Sequence, residues 1–379
     1  MIKFSKTFDN QGVRAEVACY APQRGVREWH VMLHVEPRDE LFEGQMSRIY
    51  EVEDLLPSLP GMEGARYVMK RYFVSDSTNQ CPLMREEAGI AVSTIQQQPL
   101  DGSKIAVWLY MLSDVDVTEE GGFVVVRHGG YEHLWKMGMH ETGGNSYTQT
   151  ECVLVDYEQM LEGMGATLAD NCVRTWFFVR DVDTQYAGMV KARMANFIQQ
   201  GLTNHTHYIA STGIGALPSD PRALVQFGAY ALKGFEPSQQ RYLYAPTHLN
   251  PTYEYGVTFE RGVALEYGDR SQVFISGTAS INNKGEVVHV GDIVGQTHRM
   301  WENVETLLAE AGTGFEDVMQ IVVYLRDTAD YNVVCRMFAE RFPDIPTVIA
   351  LAPVCRPAWL IEMECIAVKG RESAQYRAF

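Results

Sequence analysis

The sequence predicts an α/β protein built from tandem units, each a mixed sheet with its helices on one face. Three observations lead there. A run of motifs occurs twice, each copy alternates strand and helix signals, and a proline-broken polar stretch separates the copies. The chain has 379 residues, enough for two domains with substantial cores.

The repeat emerges when Gln149 to Gly201 is laid beside Gln296 to Pro343. The first copy has Gln149-Thr150, Tyr157 to Leu161, Gly165, and the apolar run Thr175 to Val179 ending in Arg180-Asp181. The second has Gln296-Thr297, Val304 to Leu308, Gly312, and Ile321 to Leu325 ending in Arg326-Asp327. A tyrosine (Tyr186 or Tyr331) and an amphipathic segment follow, and each copy closes on Lys-Gly, at Lys233-Gly234 and Lys369-Gly370. In the second copy Gln272 to Ile281 alternates as a strand, Asn282 to Gly285 supplies a hairpin turn, and Val287 to His289 is the expected partner strand. Met300, Val304, Leu307 and Leu308 stand at helical spacing between Ile293 and Ala311, and Gly312 ends that helix. Strand, helix and parallel strand make a βαβ crossover. The Pro237–Pro251 region marks the boundary, giving expected domains at 1–238 and 239–379.

Composition narrows the function. The net charge of -16 excludes a general nucleic-acid binder, which needs a basic face, but leaves room for an anionic metabolite held by a local arginine cluster. Seven cysteines without a CxxC pair predict reduced thiols and a cytoplasmic location. No apolar stretch reaches membrane-spanning length, and the first residues lack a signal-peptide core. His205-Thr206-His207 has no third ligand at matching spacing, so no metal and no cofactor is expected. Gly143-Gly144-Asn145 reads as a loop before a capped helix.

Phe274 to Ile281, Gly291-Asp292, Gln296-Thr297, Asn303-Val304, Val323 to Asp327 and Ile361 to Val368 together resemble a RidA/YjgF (chorismate-mutase-like) domain. A narrower resemblance is to the chorismatases, two-domain members of that superfamily that cleave pyruvate from chorismate. It rests on Arg174-Thr175-Trp176 with Tyr186 and Arg193, and on Ser211 to Gly215. It rests also on Asn250 to Tyr253 with Tyr255-Gly256 and Phe259 to Arg261, and on Val354 to Glu362. The resemblance implies Glu362 as proton donor to the enolpyruvyl methylene and Cys355 beside the ring. It further implies Arg261, Arg326 and Tyr324 as carboxylate binders, with Gly277 and Thr278 on the substrate-lining strand. Cys355 paired with Gly277 is the pattern of members forming 3-hydroxybenzoate.

The residues themselves leave other readings open. Alternation places Glu362 and Glu364 on one strand face, which an ordinary strand presents to water. If Glu362 does carry a proton, burial or a nearby negative charge must hold it there, and Glu364 is the candidate charge. Tyr324 and Arg326 fall on one side of their strand. The deaminase branch of the superfamily places an arginine ahead of its last strand, where this chain reads Ile345-Pro346-Thr347-Val348, so enamine deamination is disfavoured. A non-catalytic member that binds a small carboxylate metabolite remains the alternative. The resemblance also implies trimers with sites between subunits; a tandem chain could satisfy part of that interface internally, and a homo-oligomer remains open.

Overall fold

A computed structural model describes all 379 residues. The first unit comprises β1 (Ile2–Phe8), β2 (Val13–Tyr20), β3 (Glu28–Val35), α1 (Phe42–Leu55), β4 (Arg66–Val74), α2 (Ser77–Gln80), β5 (Ala91–Gln96) and β6 (Ile105–Leu112). The second has β7 (Asp116–Glu120), β8 (Phe123–His128), β9 (Tyr131–His140), α3 (Ser146–Gly163), α4 (Leu168–Asn171), β10 (Cys172–Val179), α5 (Val182–Gln199), β11 (Ala210–Gly215), β12 (Leu217–Pro218) and β13 (Val225–Lys233). The third has β14 (Gln240–Leu243), β15 (Gly262–Glu266), β16 (Arg270–Ala279), α6 (Ile293–Glu310), β17 (Val318–Leu325), α7 (Tyr331–Arg341), β18 (Thr347–Leu351) and β19 (Ile361–Gly370).

The fold class is the expected one, a tandem array of mixed sheets, but there are three of them. The stretch 1–238 carries two of them. Their strand orders are β1-β2-β3-β6-β4-β5, with β12 added at the far edge, then β7-β8-β9-β13-β10-β11, then β14-β15-β16-β19-β17-β18. With the six common strands lettered a to f along the chain, every sheet reads a-b-c-f-d-e. In each, d and e are parallel, and d meets f through one register shift near its start, at Tyr67/Met69, Cys172/Arg174 and Val318/Gln320. Counting from that shift makes Ser75, Arg180 and Arg326 equivalent. Each donates its backbone N–H to the residue just before strand f, namely Lys104, Leu224 and Leu360.

The repeated sequence marks have physical causes. Gly165 and Gly312 follow the long helices α3 and α6 with φ of +66° and +76°, a left-handed conformation that glycine adopts without a Cβ penalty. Lys233 donates to the Met164 carbonyl at 2.6 Å and Lys369 to the Gly312 carbonyl at 2.8 Å, so each closing lysine satisfies an acceptor at a helix C-terminus. Asn145 caps α3 by accepting from the Thr148 N–H. One local expectation fails. Val287 to His289 is not a strand; it makes a single bridge, Ile281 to Val287, and His289 has φ +58°. The antiparallel partner of β16 on that side is β15.

The units close in a ring. Gln226 of the second reaches Ser93 and Thr94 of the first. Gly215 N–H of the second donates to Pro353 O of the third at 2.9 Å. The Leu100 N–H of the first donates to Ile349 O of the third at 3.0 Å, and the Leu351 N–H of the third donates back to Gln98 O at 2.8 Å. The second residue of strand f is Ala106, Gln226 or Glu362 in the three units. Only the third carries an acid there.

Candidate active site

The seam between the second and third units holds a narrow, partly open cleft. Helix α5 supplies Tyr186 and Arg193, seven residues and therefore two turns apart, so they share a helix face. Strand β11 supplies Ser211 and Gly213, two residues apart and therefore on one sheet face. From the third unit come Arg261 ahead of β15, Gly277 in β16, Glu362 in β19, and Cys355, Arg356 and Trp359 in the loop before it. Four of the seven residues expected at the site therefore meet: Glu362, Cys355, Arg261 and Gly277.

The other three lie elsewhere. Strand β17 ends at Leu325, and Arg326 beyond it is held by Asp183 of α5 through contacts of 3.0 and 2.9 Å and by the Val354 carbonyl. It lines a separate depression with Asp183 and Ser75. Tyr324 is fully buried beside Glu364, Arg71 and Arg174, and its hydroxyl has no hydrogen-bond partner. Thr278 pairs with Met363 across the sheet, whereas its neighbour Ala279 pairs with Glu362, so Thr278 takes the opposite face. Its hydroxyl donates to Ser276 O at 2.9 Å. The two histidines of 205–207 do not converge on a site either; His207 stacks on Tyr242 and shares a hydrogen bond with its hydroxyl at 2.8 Å.

Two buried carboxyls with opposite surroundings dominate the electrostatics. Glu362 is 5% exposed, takes no hydrogen bond from the protein, and is pushed up to about 8 by burial and then by the charge of Glu364. Glu364, 2% exposed, is held below the usual carboxylate range despite its burial. It accepts from Arg174 at 2.8 Å, Arg71 at 3.1 Å, the Trp176 indole N–H at 3.0 Å and the Thr212 hydroxyl. At neutral pH the pair thus holds one proton, and it sits on Glu362. Environments that separate two carboxyls in this way assign one to carry a proton and the other to carry charge.

Three cations line the cleft with Glu362 and have no carboxylate partner. Arg193 donates to Thr258 Oγ1 at 3.3 Å and has one buried N–H group free. Arg261 donates to the Asn250 carbonyl at 3.0 Å, lies over the Tyr255 and Phe259 rings, and has its Nε free. Arg356 sits over Tyr255 and Trp359 at the exposed rim. With Glu362 neutral, the cleft carries net positive charge inside a strongly acidic protein. Cys355 is half-buried, and its thiol is pushed up to about 12 by burial and by Glu362, next to the Tyr186 hydroxyl. It is a neutral thiol, not a thiolate nucleophile. Tyr186 and Arg193 had a sequence signal, their seven-residue spacing after the Arg-Thr-Trp segment, but only the seam between units brings them to Glu362.

Residues 263–369 match the family described as Endoribonuclease L-PSP. The chain is 38% identical over 72 residues to the 3-aminoacrylate deaminase RutC of Acinetobacter baylyi, covering 19% of this chain and 57% of that protein. It therefore spans little more than half of that relative's length. It is 37% identical over 100 residues to a RutC family protein of Pyrococcus abyssi, covering 26% of this chain and 78% of that protein. Among solved structures, a chorismatase crystal structure at 1.08 Å resolution aligns with a TM-score of 0.65 and 20% identity, covering 82% of this chain and 95% of the other. The family match lies in the third unit, while the structural likeness extends over most of the chain. By its third unit, this chain belongs to the RutC family of the RidA/YjgF (Endoribonuclease L-PSP) superfamily.

Proposed function

We propose that the cleft cleaves chorismate to pyruvate and a hydroxybenzoate, 3-hydroxybenzoate being favoured. One observation carries this reading: a carboxyl that keeps its proton at neutral pH, set among three arginines that have no carboxylate partners. Chorismate is a dianion with an acid-labile enol ether. Arg193, Arg261 and Arg356 suit its two carboxylates, and Glu362 suits its methylene carbon. Proton transfer from Glu362 to that carbon places positive charge on the ether carbon and weakens the ring C–O bond. Pyruvate and a hydroxybenzoate together contain all the atoms of chorismate, so no other reactant is consumed. The ring loses one proton as it becomes aromatic, and that proton balances the one spent by Glu362. A neutral Cys355 thiol beside the ring steers this second stage. The scheme needs no cofactor or metal. The test is incubation of the purified protein with chorismate, following pyruvate through its reduction by lactate dehydrogenase. Release dependent on the protein supports the reading, and unchanged chorismate rejects it.

Cys355→Ala is expected to alter what is made more than how fast chorismate disappears. Pyruvate release should stay within about threefold, since Glu362 acts first and general acid transfer is the larger contribution. Chromatography should show less hydroxybenzoate and more dihydrodiol or another isomer. An unchanged product ratio would make Cys355 a packing residue.

A further inference from the structure

The first unit contributes no residue to the lining of the cleft. It does contribute one charge to the carboxyl pair. Arg71 of β4 is fully buried, and its guanidinium carbon lies 4.9–5.0 Å from the ring centres of Trp108, Trp176 and Phe178. Its only hydrogen bond from the side chain runs to Glu364 at 3.1 Å, leaving Nε and one terminal nitrogen without polar partners. All three units therefore converge on one carboxylate: Arg71 from the first, Arg174, Trp176 and Thr212 from the second, and Glu364 itself from the third. Thr212 continues the chain into the cleft, accepting from the Gly277 N–H at 2.9 Å while donating to Glu364.

We propose that Arg71 is a positioning residue for the reaction: its ion pair with Glu364 fixes that carboxylate as the charged partner and leaves the shared proton on Glu362. Burying an arginine among aromatic rings with most of its donors unused gives little net stability by itself, because desolvation offsets much of the ion pair. A cation–π sandwich does fix the guanidinium plane, and hence the carboxylate it meets. Without this cation Glu364 binds protons more readily and competes with Glu362 for the single proton. The inference rests on the reading of Glu362 as the proton donor.

Two consequences have opposite directions, which a merely structural role would not produce. In Arg71→Met the plateau of kcat for pyruvate release near neutral pH should fall on the order of tenfold, because most of the single proton moves to Glu364. The alkaline fall in activity should move to higher pH, because removing a positive charge raises the proton affinity of the pair. KM should change little, and Arg71→Lys, which keeps the charge, should restore most of the plateau. In a Glu364→Gln background, compared at its own low-pH plateau, Arg71→Met should cost less than about twofold. An equal loss in both backgrounds, or a lower plateau with an unmoved alkaline limb, overturns the inference. Should Arg71→Met fail to fold, Arg71→Lys in the two backgrounds reads the same non-additivity, and equal losses again overturn it.

If the wild-type protein leaves chorismate intact, the substrate reading fails by itself. The proton placement is then read by infrared difference spectroscopy with isotope-labelled glutamate. The protonated-carboxyl band should vanish in Glu362→Gln and persist in Arg71→Met/Glu362→Gln. Its absence from the double variant overturns the role of Arg71.

Discussion

Replacing Glu362 by glutamine is expected to lower kcat for pyruvate release by about 10²–10⁴-fold, the usual contribution of a positioned general acid. Glutamine keeps the shape of the side chain and removes the transferable proton. The native carboxyl makes no hydrogen bond that the amide would break, so the thermal transition should stay close to that of the wild type. The substitution also removes a buried ionisable group whose neighbour, Glu364, is already ionised. Steady-state kinetics with a melting curve checks both parts. Activity within a few-fold of wild type would remove Glu362 from the mechanism.

Gly277→Ala is expected to be nearly as damaging, on the order of 10²-fold in kcat, through displacement of the acid. A Cβ at Gly277 would stand 2.1 Å from Glu362 Oε1 and 3.1 Å from Thr212 Cγ2. No side chain occupies space that close to a carboxylate oxygen, so Glu362 must rotate away or the β16 bulge must open. Opening the bulge would strain the Gly277 N–H bond to Thr212, which in turn holds Glu364. The glycine is therefore required by the acid itself, a stronger demand than room for a substrate ring. A crystal structure of the variant should show Glu362 in another rotamer. Full activity with Glu362 unmoved would refute this account of Gly277.

The second and third units were legible as a repeat because their matching residues satisfy the same backbone needs: a left-handed glycine after the long helix, and a lysine on that helix's end. The first unit showed none of this. Its second helix shrinks to Ser77–Gln80 followed by a single 3₁₀ turn, and the position of Arg180 and Arg326 is held by Ser75. Without the Arg-Asp-to-tyrosine signature there was nothing to align, and 1–238 read as one diverged domain.

The site was legible in part for a related reason. Glu362, Cys355, Gly277 and Arg261 belong to one unit, and the family resemblance points to all four. Alternation put Tyr324 beside Arg326, but it cannot show where a strand ends; one residue past β17, Asp183 of the neighbouring unit takes the arginine. Nor can alternation tell a solvated face from one closed by another sheet. In the sequence Glu364 is only a candidate charge beside Glu362 or a surface residue, because the arginines that hold it ionised come from the first and second units, more than a hundred residues away.

The pH dependence of kcat/KM for pyruvate release from chorismate tests the central claim most directly, because it reports the proton on Glu362 in the free protein. Glu362 has its affinity for a proton raised to about 8, and the protonated form is the active one. The rate should therefore be level through neutral pH and fall about tenfold per unit above about pH 8, as the acid loses its proton. A rate that climbs with pH through this range, or stays level well beyond it, would show that the active form does not carry its proton on Glu362.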